Sequence, residues 1–177
     1  SASNWMQWNS EWRDGAFLRL DPEEMGRRIL ALDETIERLL VSFEGRDSPR
    51  RVCLELQRGV KELSVHMELV RALRNPGMCD RHWNQLAKVL GFFFKPDLDM
   101  TLTSLLLKHN FDPYLESLLA ISATASREYA LQVRVDTMMK EWSEVKLVID
   151  ASTASNRSIS NFDDLLARID ESVIDLQ

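Results

Sequence analysis

The sequence predicts an all-α fold, an elongated antiparallel helical bundle with one small β-hairpin near residues 145–160. Three observations carry this. Apolar residues recur at steps of three and four through most of the chain, which gathers them on one face of a helix. The stripes are bounded by cap and stop residues. The period changes once, near Val145, to a short run rich in β-branched residues.

Each element follows in order. Trp5, Trp8 and Trp12, spaced three then four, put an aromatic face on a first helix. Helix packing is the simpler use of that face, and a docking surface for another protein is the sharper one. Asp21-Pro22-Glu23-Glu24 is a helix start: an acceptor for free amides, a proline suited to the first turn, and a glutamate three past the cap. Met25, Ile29, Leu32, Ile36, Leu39 and Phe43 then form one stripe, and Gly45 stops it. Ser48-Pro49 restarts the pattern through Val52, Leu56, Val60, Leu63, Met67 and Val70, up to Pro76-Gly77.

Trp83, Leu86, Ala87 and Leu90 make a shorter helix closed by Gly91, and Phe92 to Asp97 reads as an extended connector. Thr101 caps a short helix over 102–108. Asp112-Pro113 opens the longest stretch, to about Val145, with no proline or glycine after Pro113 to interrupt it. Val145-Lys146-Leu147-Val148-Ile149 and Arg157-Ser158-Ile159 suit a hairpin. Asn161 caps a last helix through Leu165, Ile169, Val173 and Leu176. Short connections between such helices favour antiparallel neighbours.

Composition bounds the function. The 177 residues are 45% hydrophobic and 28% charged, enough to bury a core, and the formal net charge is −6. No basic patch of the kind nucleic acid requires is present, so nucleic-acid binding is not expected. The longest apolar runs, such as 89–94, are far too short to cross a bilayer. The opening Ser1-Ala2-Ser3 lacks the charged-then-apolar pattern of a signal peptide and reads as an internal fragment or an added scar. Cys53 and Cys79, without short metal-type spacing, fit a reducing compartment.

Catalytic constellations are not expected. His66, His82 and His109 are scattered, with no HExxH and no paired ligand, so structural histidines are favoured over a zinc site. Cys79 is three residues from His82, but sequence proximity supplies neither an orienting third group nor a pocket. There is no glycine-rich phosphate loop, so no cofactor is expected in this segment. The pairs Glu23-Glu24 and Asp163-Asp164 lie in first turns, where the helix dipole accounts for them. At residues 73–86, "LRNPGMCDRHWNQL", Asn75-Pro76-Gly77 reads as a helix stop, Trp83 as the buried anchor and its polar neighbours as trim unless they reach a buried carbonyl.

The same residues carry a resemblance. "ALRNPGMCDRHW" resembles the signature of the dynein heavy-chain linker, in which an Arg-Asn-Pro turn (Arg74, Asn75, Pro76) leads into Arg-His-Trp (Arg81, His82, Trp83). "FKPD" followed by "MTLTSLLL" is similar to the linker's connector and short helix. "ISATASREYALQVRVDTMMKEW" resembles its long helix, with Glu128, Tyr129 and the closing Trp142. "FDDLLARIDESVIDLQ" is similar to the helix after the hairpin. The motifs cover about 60–177, and residues 1–59 fit mainly by pattern. Many relatives carry a proline between His66 and Leu69 where this chain has Glu68, which removes the reason to expect a kink there. The loop over 151–158 is Ser-rich, and the relatives' Asp-Asp-His appears as Asp170-Glu171-Ser172.

The resemblance implies that residues 1–177 are a single fragment of the linker, its amino-terminal to middle part. That element is a lever coupling ATP-driven changes in an AAA+ ring of the same chain to the tail, its associated chains and the cargo. ATP and magnesium then belong to the full-length motor, a microtubule ATPase, and not to this fragment. The hairpin, through Leu147, Ile149, Arg157 and Ile159, becomes a candidate contact with the ring. The wording around residue 75 resembles ciliary and flagellar heavy chains, which implies the cytoskeleton of an axoneme, with cytoplasmic dynein as the alternative. The competing reading is a helical scaffold or adaptor bundle that binds partner proteins without a motor. No membrane partner is expected.

Overall fold

The computed structural model describes residues 2–153, 156–159 and 161–175. They divide into two compact units, 1–127 and 128–177, with the boundary inside a helix.

In the first unit, α1 (Ala2–Asp14) buries Trp5 and Trp12, with Trp8 half-buried and stacked on Trp12 at 6.1 Å. The three tryptophans therefore pack; Arg28 lies 4.9 Å over the Trp8 ring. Gly59 faces Trp5 so closely that an added Cβ would stand 3.2 Å from the indole. A 3-10 turn, Phe17–Arg19, follows, with Phe17 fully buried and its N–H donating to the Met100 carbonyl at 2.7 Å.

α2 (Pro22–Ser42) starts where its cap places it: Asp21 Oδ1 accepts from the Glu23 and Glu24 amides at 2.9 and 3.1 Å. Its stripe, Met25 to Ile36, is buried, and Gly45 follows with φ +80°. α2 packs on α3 (Asp47–Ser64) and α4 (Met67–Leu73).

The single helix expected up to Pro76 is two, broken at Val65-His66 although no proline is present. His66 N–H bonds back only three residues, to the Leu63 carbonyl at 3.0 Å, and the Ser64 hydroxyl competes for the Lys61 carbonyl at 2.8 Å. The break re-aims the chain so that Met67, Leu69, Val70, Ala72 and Leu73 are all buried, more than one stripe of a straight helix buries. In α3 the inward position falls to Cys53, and Val52 is 51% exposed.

α5 (Asp80–Leu90) ends at Gly91, φ +79°, and α6 (Leu102–Lys108) starts from Thr101, whose hydroxyl accepts from the Ser104 amide at 3.0 Å. A 3-10 turn at Asp112–Tyr114 precedes α7 (Leu115–Ser143), so the long helix is shorter at both ends than expected over 112–145. Its first half completes the core with Leu118, Ser122 and Ala125.

The second unit holds the rest of α7, a strand pair and α8 (Phe162–Asp175). The hairpin expected near 145–160 is corrected in extent. Residues 145–148 belong to no strand, because the Asn161 side chain takes their backbone: it accepts from Val148 N–H at 3.1 Å and donates to the Lys146 carbonyl at 2.9 Å. Among the described residues, pairing joins β1 (Ile149–Thr153) and β2 (Asn156–Ile159), antiparallel, with Ile149 opposite Ile159 and an irregular register between Asp150 and Thr153; residues 154, 155 and 160 lie outside the described residues. Over 128–148 and 161–174, no side chain is buried.

One glycine yields a prediction. Gly26 lies inside α2, where glycine costs about 1 kcal/mol relative to alanine. A Cβ there would meet only the flexible Arg71 Nη2, at 2.6 Å. Arg71 pairs with Glu23 at 3.5 Å in an exposed geometry worth at most about 1 kcal/mol. Gly26→Ala is therefore expected to leave the urea midpoint unchanged or raise it slightly. A clear fall would mean that Arg71 is held rigidly over Gly26.

Candidate functional site

The signature residues between α4 and α5 form a set of fasteners. At the end of α4, Arg74 Nε donates to the Leu20 carbonyl at 3.1 Å, across 54 residues. Asn75 spends both ends of its amide. Its Nδ2 lies 2.7 Å from the Ser122 carbonyl and 2.8 Å from each of the Ser122 and Ser126 hydroxyls on α7. Its Oδ1 accepts from Gly77 N–H at 2.9 Å, which closes the turn around exposed Pro76. Arg74 and Asn75 thus do more than stop a helix: they tie the turn to the α1–α2 connection and to α7.

At α5 the sequence predicts that the polar neighbours of Trp83 are trim, and for His82 the structure overturns that. His82 is 1% exposed. Its Nδ1 accepts from Cys79 N–H at 3.2 Å and lies 3.2 Å from Cys79 Sγ, in a reciprocal cap that closes the first turn of α5. Because Nδ1 accepts that amide, the arrangement serves the helix terminus. Arg81 is exposed. Asp80, also exposed, receives Lys95 Nζ at 2.8 Å; that hydrogen bond and charge hold its carboxyl below the usual carboxylate range. Trp83 is buried against Phe94, ring centres 6.5 Å apart, and Phe94 in turn meets Phe111 at 5.0 Å and His109 at 5.2 Å.

The remaining residues singled out in the sequence lie in the second unit. Glu128 is half-buried and Tyr129 is 47% exposed. Trp142 is half-buried, and its Nε1 donates to Ser172 Oγ at 3.1 Å, joining α7 to α8. Leu147 is 61% exposed. Ile149, Arg157 and Ile159 lie in the strand pair, and their side chains are outside the described residues. Ser122 and Ser126 were missed. Their signal was available: they are one helical turn apart, and Ser122 falls between Leu118 and Ala125 on the buried side of α7.

Asn75→Asp isolates the α7 half of this network. The aspartate still accepts from Gly77 N–H but has no donor for α7. A lost hydrogen bond to a partly buried group costs about 1–3 kcal/mol, and that loss is expected in the urea midpoint. An unchanged midpoint would show that water replaces the amide without penalty.

Among the described residues there is no group of three or more His, Cys, Asp or Glu placed to hold a metal, and no helix is long and apolar enough to cross a membrane. What the residues do together is fasten helices, and the class they define is a helical structural segment. The chain belongs to the dynein heavy chain family: residues 1–177 match dynein heavy chain, N-terminal region 2, throughout. It is 30% identical to mouse dynein axonemal heavy chain 12 over 179 residues, covering 98% of this chain and 6% of that one. It is 27% identical to human dynein axonemal heavy chain 3 over 170 residues, covering 96% and 4%. Against mouse dynein axonemal heavy chain 1 it is 27% identical over 145 residues, covering 82% and 3%. The chain thus spans about 3–6% of the length of these relatives.

Proposed function

We propose that this chain is a linker segment of an axonemal dynein heavy chain, a lever between the tail and an AAA+ ring carried by the same polypeptide. The observation that carries the reading is the Arg74-Asn75 fastening. It ties one turn to the Leu20 carbonyl and to α7, and a lever must hold its helices in fixed register. Family membership over the whole chain and the axonemal relatives support the motor and its place in the cytoskeleton of a cilium or flagellum. On this reading ATP and magnesium act elsewhere in the heavy chain. The segment around Leu147, Ile149, Arg157 and Ile159 is the part offered to the ring, and the tail with its associated chains is the other partner.

The test is Asn75→Asp in a full-length heavy chain, with microtubule gliding and ATP turnover measured on the same preparation. Slower gliding with retained turnover is expected. Normal gliding in a variant whose fastening is demonstrably loosened would overturn the reading. The isolated 177-residue chain is expected to hydrolyse ATP no faster than a buffer blank.

A further inference from the structure

We draw no further inference here: the strongest candidate, the groove between α7 and α8 lined by Val133, Arg134, Met138, Trp142, Arg168 and Glu171, is a half-open face, and nothing in the structure shows what covers it.

Discussion

Trp83→Ala is expected to lower the stability of the first unit by about 3–5 kcal/mol, the usual cost of truncating a buried tryptophan. The indole is 6% exposed and begins an aromatic chain that runs through Phe94 to Phe111 and His109. Removing it takes away the surface on which Phe94 rests, and Phe94 anchors the connector between α5 and α6. Against a typical total of about 5–15 kcal/mol, that loss leaves a much smaller margin. His82→Ala is the necessary comparison, because His82 is also buried. It breaks the cap on Cys79 N–H, a loss of about 0.5–2 kcal/mol, and leaves a smaller void than the indole would. Urea midpoints read by far-UV circular dichroism give the order, free of the change in tryptophan content. The Trp83 variant is expected to unfold at clearly lower urea. Equal midpoints would mean that the imidazole carries as much of the packing as the indole.

The reversal of His82 shows what the sequence could and could not reveal. Helix starts were legible where a single side chain decides them locally: Asp21 and Thr101 cap as their neighbours indicate. Gly45 and Gly91 adopt the left-handed conformation that their places after helices require. The α3–α4 break was not legible, because no proline marks it. It follows from the burial of Met67 to Leu73, which depends on residues distant in the chain. His82 was invisible for a related reason: one of its partners is a backbone amide three residues away, and a backbone amide has no letter in the sequence. Asn75 read correctly as a turn residue, yet its main bonds reach α7 across 47 and 51 residues. The signature residues could be picked out by resemblance, but their fastening role is a tertiary fact.

Arg134→Pro is expected to unravel the middle of α7 while sparing the first unit. α7 runs over 29 residues, roughly 43 Å at 1.5 Å per residue, and Arg134 lies well inside it. Proline there removes an amide that bonds back four residues and clashes with the preceding turn, a cost of about 3 kcal/mol or more. The second unit has little to absorb that cost. Over 128–148 and 161–174 no side chain is buried, and α7 is tied to α8 there by the Trp142–Ser172 bond, with half-buried Met138 lining the groove between them. The core contributions of α7, Leu118, Ser122 and Ala125, all lie before residue 128 and are beyond the reach of the lesion. Amide hydrogen exchange is therefore expected to rise over 134–143 and to stay unchanged in α2 and α4. Arg134→Ala separates backbone from side chain. It also removes the guanidinium from the α7–α8 groove but restores the best helix former, so exchange close to that of the parent is expected. If both variants exchange alike, the side chain and not the helix is what matters at this position. In a full-length motor, on the proposed lever role, the proline slows microtubule gliding while ATP turnover persists. Parental gliding and turnover, with exchange over 134–143 still raised, would place the force path outside this part of α7.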